Sequence, residues 1–283
     1  MSFELNSKME SIKIIYKKDK ISNSCIFMKK HLLLAFFITH LGMSQELPNF
    51  QKDIELYSEL INKNPNDYTS YHFRGHSKFN LEDYEGALQD YDKALEINDK
   101  YYEAYFSRGK LFQKLNKHKS AIIDFTECIN LKSSSASSYF NVAYSYSIIG
   151  DFKNSVENYS KCISLDEKNY DAYYNRGVVY KLSSNYQEAI YDFNKAILIN
   201  PNSVDAYQNR GIMKSYSKDK SALNDFNKVI ELDKTNGEAY YNRAIYYLNF
   251  NPKNDYCSDL KKALELGFDE ALEVFNSECK NKK

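Results

Sequence analysis

The sequence predicts an all-α protein, an α-solenoid of stacked antiparallel helix pairs, and three observations carry that prediction. The first is an internal period. Tyr-x-x-Arg-Gly begins at Tyr71, Tyr105, Tyr173 and Tyr207, and weaker copies begin at Tyr139 and Tyr240, where Ala143 and Ala244 replace the Gly. The small residue therefore recurs at 75, 109, 143, 177, 211 and 244, in four steps of 34 and one of 33. The second is a shortage of breakers. With 9 Gly and 4 Pro in 283 residues, the two make up about 5% of the chain against a usual ~12%, which disfavours a turn-rich sandwich or barrel. The third is a matched set of large and small positions. Sixteen residues after the small residue stands Tyr91, Phe125, Tyr159 or Phe193, and nineteen after it Ala94, Cys128, Cys162 or Ala196. Helices approach closely where one presents Gly or Ala to a ring on the other.

The elements follow in chain order. Residues 1–27 are rich in Lys, Ser and Asn with no helical period, and are expected to be an extension upstream of the natural start at Met28. Residues 28–44 have the form of a signal peptide. Lys29 and Lys30 precede the apolar run Leu32–Leu41, and Gly42 and Ser44 put small residues at a cleavage site before Gln45. A run of about ten apolar residues is too short to span a membrane, which takes ~20. The chain is thus expected to be exported, periplasmic or secreted, with no stable membrane span after signal removal. Over residues 45–283, Phe50–Lys63 carries Tyr57 and Leu60 at second-helix offsets and makes a half repeat, 50–67. Full repeats are expected at 68–101, 102–135, 136–169, 170–203, 204–236 and 237–268, the first with helices over about 68–81 and 84–97. Repeat five drops one residue in its inter-helix turn, so Ala222, Phe226 and Val229 arrive early; repeat six keeps Ala263 but has Tyr256 and Leu260 elsewhere. A capping helix over 269–280, Leu272 and Phe275 inward, closes the stack.

Six linked 34-residue copies with this small–large pattern resemble the tetratricopeptide repeat (TPR) family over residues 50–283. The resemblance implies a right-handed superhelix whose first helices line a concave groove, and a protein or peptide as partner.

Candidate sites divide into scaffold and groove. Repeat position 7 is Arg74, Arg108, Arg176, Arg210 and Arg243, and position 23 is Asp90, Asp124, Asp192, Asp225 and Asp259. The third repeat has Val142 and Asn158, losing both partners together, which reads as an ion pair within each repeat. Cys257 and Cys279 lie level on two helices joined near Gly267, so export to an oxidising compartment would let them close a disulfide. Cys128 and Cys162 occupy small packing positions. His72 and His76 share a helix face at a zinc-binding spacing, but Phe73 stands where a protease motif needs Glu, and Lys110 fills a matching position nearby. Two groove-facing histidines are expected there, with no metal and no cofactor. The groove itself is expected from Phe106, Phe140, Tyr174 and Tyr241 at position 5, Tyr144 at position 9 and Tyr216 at position 13. An Asn ladder, Asn141, Asn175, Asn209 and Asn242, runs along position 6. Asn can grip a peptide backbone with paired donor and acceptor. Position 2 is acidic at Glu103, Asp171, Asp205 and Glu238, and no Lys stands at position 2 or 5. The Lys clamp for carboxyl-terminal tails is therefore missing, and a neutral or basic segment, or a partner helix, suits the groove better.

Charge and motif content narrow the function. The chain carries 38 basic and 38 acidic side chains. Removing residues 1–44, with seven Lys and three acids, leaves a net charge of −4, which argues against nucleic acid. No phosphate loop, nucleophile elbow or His–Glu metal motif occurs, so a non-enzymatic interaction scaffold binding a protein or peptide is expected. The alternative is a structural subunit of a cell-envelope assembly, contacted through its convex face or termini.

Overall fold

The computed structural model describes residues 49–280; the expected extension and signal peptide lie outside them. Among the described residues there are fourteen helices and no strand. Two compact units divide the chain after Leu131.

The first unit holds α1 (Phe50–Lys63), α2 (Tyr68–Asn80), α3 (Tyr84–Ile97), α4 (Tyr102–Lys114) and α5 (His118–Leu131). The second holds α6 (Ala136–Ile148), α7 (Phe152–Leu165), α8 (Tyr170–Leu182), α9 (Tyr186–Ile199), α10 (Val204–Tyr216), α11 (Ala222–Leu232), α12 (Gly237–Phe250), α13 (Tyr256–Glu265) and α14 (Ala271–Glu278). Within each unit every helix packs on its chain neighbours, and first helices of adjacent repeats also touch.

Local chemistry sets the helix ends. Short polar side chains cap the starts, with Asp67, Asp83, Ser135, Asp151, Asn169, Ser203, Asn236 and Asp255 each accepting from a backbone N–H of the first turn. Each first helix of the first five repeats ends on one left-handed residue at repeat position 15: Glu82, Asn116, Gly150, Ser184 and Lys218. The next N–H then returns to the last turn, as from Asp83 to the Lys78 carbonyl and from Asn185 to that of Tyr180. Lys218 keeps this turn in repeat five, with Asp219 bonding back to Lys214. The missing residue is therefore lost after this turn, at the start of the second helix, where Lys220 and Ser221 stay in a turn and α11 has 11 residues where α9 has 14.

In each unit the core sets rings against small residues. Ala87, Tyr91 and Leu111 pack together in the first unit. In the second, Val178, Ala189, Phe193 and Met213 form one cluster and Ala222, Phe226 and Tyr246 another. A Cβ built on Gly177 would meet Phe193 at 2.9 Å, and one on Gly211 would meet Phe226 at 2.7 Å, so the small position is set by the opposing ring. Burying each such ring stabilises the fold by up to about 3 kcal/mol.

The capping helix is shorter than expected, Ala271–Glu278, and turned differently. Ala271, Val274 and Phe275 pack on Leu260 and Ala263, while Leu272 is half exposed. Glu270 has already entered helical geometry, and this rotation puts Val274 and not Leu272 beside Phe275.

Candidate interaction face

Ion pairs fix the helix pairs that present the face. Arg74 meets Asp90 through two bonds, Nη2 to Oδ1 at 2.6 Å and Nε to Oδ2 at 2.9 Å. Arg108 with Asp124, Arg176 with Asp192, Arg210 with Asp225 and Arg243 with Asp259 repeat this two-pronged geometry. The bonds that Arg74 and Arg243 donate to Asp90 and Asp259 raise both arginines above the ordinary guanidinium range. Each guanidinium also lies over the Tyr one helical turn before it, 5.2–5.8 Å from the ring centres of Tyr71, Tyr105, Tyr173, Tyr207 and Tyr240.

A third contact was not expected from sequence. The remaining Nη1 of each Arg donates to the preceding second helix: Ser58 at 3.2 Å, Asp92 at 2.7 Å, Ser160 at 2.7 Å, Asn194 at 2.7 Å and Asn227 at 2.8 Å. All five acceptors stand at repeat position 25. Each Arg is thus a rivet through three helices, joining one repeat to the last. In repeat three, where Val142 removes the Arg, Asn158 turns its amide to the Asn154 carbonyl.

The first helices of the second unit, α6, α8, α10 and α12, carry the candidate face. Phe140 packs edge-on against Tyr159 at 5.5 Å, and Tyr174 tilts against Phe193 at 5.9 Å; both are half-buried and give the floor its aromatic surface. Tyr144 is half-buried beside them. Tyr241 packs on Phe268 at 5.2 Å. Tyr216 is 65% exposed and stacks on Tyr186 at 5.4 Å. Phe106, in the first unit, plays the same part against Phe125 at 5.4 Å.

The Asn ladder is partly committed to its own helices. Asn141, Asn175 and Asn209 donate through Nδ2 to the carbonyls of Ser137, Asp171 and Asp205, at 2.8, 2.8 and 3.0 Å. Asn209 also donates to the Tyr174 hydroxyl at 3.3 Å and accepts from Lys181 Nζ at 2.6 Å, linking α8 to α10. These side chains therefore brace the face before they can meet a ligand. Burial pushes the carboxyls of Asp171 and Asp205 above the usual range, Glu238 adding to the effect at Asp205, and burial pushes Lys181 below its ordinary value.

His72 is buried on α2: it is 7% exposed, with Nε2 3.0 Å from Ser107 Oγ and Nδ1 3.2 Å from the Tyr101 hydroxyl. A buried imidazole held by two hydroxyls stays neutral, and burial, with His76 assisting, lowers it to about 4. At the other end, Cys257 and Cys279 are joined in a disulfide with Cα atoms 5.6 Å apart, tying α14 to α13. Cys128 and Cys162 are buried thiols. Among the described residues no helix is long and apolar enough to cross a membrane.

Helix pairs of this period, riveted in series, define a repeat scaffold, and comparison with known proteins identifies its kind. Residues 75–116, 102–135, 144–184 and 170–203 match descriptions of the tetratricopeptide repeat. Comparison with curated proteins finds no match. Among solved structures, the C-terminal part of a TPR repeat-containing protein from Cytophaga hutchinsonii superposes with a TM-score of 0.69 at 21% identity, over 80% of this chain and 94% of that one. MamA protein is 25% identical, with a TM-score of 0.57 over 60% of this chain and 94% of its own. YrrB, described as a TPR protein with an unusual peptide-binding site, gives 0.60 at 21% identity over 66% and 96%. The chain belongs to the tetratricopeptide repeat family and is an all-α TPR solenoid. Proteins of this family bind proteins or peptides and are generally non-catalytic scaffolds.

Proposed function

We propose that the chain is a non-enzymatic interaction scaffold that is exported through its 28–44 signal segment and takes a protein or peptide on the first-helix face of its second unit. The observation that carries this reading is the partly exposed aromatic row on α6, α8, α10 and α12, set beside amides that are already braced in place. Rigid aromatic surface with fixed polar partners binds an extended segment at low ordering cost. The likeness to YrrB, itself a peptide binder by its description, supports the same use of the fold. The mature net charge of −4 from the sequence speaks against nucleic acid. Tyr144→Ser with Tyr216→Ser removes partner capture by the full chain, while the helical circular dichroism is kept; retained capture contradicts the groove.

A second reading has its own observation. On α9, Tyr191 is 55% and Leu198 75% exposed, and these could dock a neighbour in an envelope assembly through the second helices. Serine at both positions then abolishes assembly and leaves groove capture intact. Export is checked separately by N-terminal mass spectrometry of the native product: a start at Gln45 supports it, and peptides from Ser2 to Phe27 contradict it.

A further inference from the structure

Repeats five and six hold buried polar groups that the fold leaves unanswered. Gln208 is 93% buried, at 7% exposure, yet neither Nε2 nor Oε1 has a hydrogen-bond partner among the described residues. On the half-buried Asn242 and Ser215, the buried Nδ2 and Oγ atoms also lack a hydrogen-bond partner among the described residues. Burying an amide without partners costs on the order of 1–3 kcal/mol for each lost bond, so native proteins seldom keep such groups without a use. The equivalent side chains elsewhere are answered. His72, at the same repeat position as Gln208, meets Ser107 of the next repeat, and Tyr174 meets Asn209. Gln208 and Asn242 stand in that same relation, position 5 to position 6 of the next repeat, and do not bond.

The surroundings are acidic. Asp205 lies three residues before Gln208 on the same face of α10, and Glu238 lies four before Asn242 on α12. Desolvation raises the Asp205 carboxyl above its ordinary range, and the neighbouring Glu238 adds to the effect. With Asp171 there are three carboxylates on this face, none in an ion pair among the described residues, while the nearby cation Lys181 donates to Asn209 and feels the field of Glu238. A negative concave surface over an unpaired carboxamide has a definite complement. The amide's donor and acceptor match the C=O and N–H of an extended backbone, and the carboxylates match an ammonium or guanidinium.

We propose that the α10–α12 stretch is a subsite for a Lys or Arg side chain on an extended segment of a partner protein. Gln208, turning out about its own side-chain bonds, and Asn242 hold the backbone, and Asp205 and Glu238 hold the cation. This rests on the groove reading given above and adds the chemistry of the occupant.

The test is selection from a phage library of random dodecapeptides on the immobilised full chain and on Asp205→Asn/Glu238→Gln. The native chain is expected to enrich Lys and Arg about threefold over their input frequency, and the neutral variant to select peptides without that enrichment. Gln208→Leu lowers recovery and keeps the preference for basic residues. Peptides selected with no basic enrichment, or with enrichment that persists in the neutral variant, overturn the subsite and leave the groove reading standing. Failure of every chain to select any peptide, with circular dichroism showing them folded, overturns both.

Discussion

His72 couples folding to pH through a single buried ring. Its two nitrogens are met by the hydroxyls of Ser107 and Tyr101, which suit the neutral imidazole. The folded value of about 4 lies below the 6.5 of a free histidine, so protons favour the unfolded chain. The stability this group lends is complete above about pH 6.5 and drains away as pH falls toward 4, by about 3 kcal/mol in all. Urea midpoints between pH 7 and 4 should show that loss, and His72→Asn, which keeps a donor and an acceptor but does not titrate, should remove most of it. The arginine rivets give a second prediction. Asp192 is fully buried against Arg176, so Arg176→Val alone strands a charge and costs about 3–5 kcal/mol. Adding Asp192→Asn copies the Val142 and Asn158 of repeat three and should recover most of the loss in denaturant midpoints. The Arg and Asp of each pair were legible in sequence because they come and go together. The third acceptor was not, since position 25 varies among Ser58, Asp92, Ser160, Asn194 and Asn227 and any short acceptor serves.

The helix pairs show where sequence patterning speaks and where it stops. The period of ring and small residue sets which faces meet, because a Cβ at Gly177 or Gly211 would strike the opposing ring; the fold class was therefore readable throughout. Turn conformation was not, since only Gly150 and Asn116 among the five left-handed residues advertise it. The rotation of the capping helix is not legible in the sequence for a related reason. At a chain end no next repeat fixes the phase, and Val274 and Phe275, not Leu272, turned inward. Its anchorage gives a prediction at this scale. The Cys257–Cys279 bridge closes a loop with a sequence separation of 22, worth about 3 kcal/mol in the loop-entropy model. Reductant should lower the unfolding midpoint of the second unit, and Cys257→Ser/Cys279→Ser should show the same loss with no response to reductant. Two alkylatable thiols at these positions in the native protein would contradict the bridge.

As a whole molecule, the protein is a series of near-identical cassettes in which stability comes from neighbour on neighbour, and individuality from the few positions the scaffold does not consume. Many of its tyrosines are consumed: Tyr71, Tyr105, Tyr173, Tyr207 and Tyr240 lie under arginines, and Tyr91 and Tyr159 fill the core. What the scaffold leaves over is concentrated on the first helices of the second unit, in Tyr144, Tyr216 and Tyr241 and in the unanswered amides beside them. The central claim is that this face, and not the second-helix side, meets the partner. Site-specific photocross-linking in the native cell tests it most directly, with benzoylphenylalanine placed at Tyr216 on α10 or at Leu198 on α9, both well exposed. The account predicts one discrete covalent adduct from position 216 and none from 198. An adduct from 198 with none from 216 would contradict it.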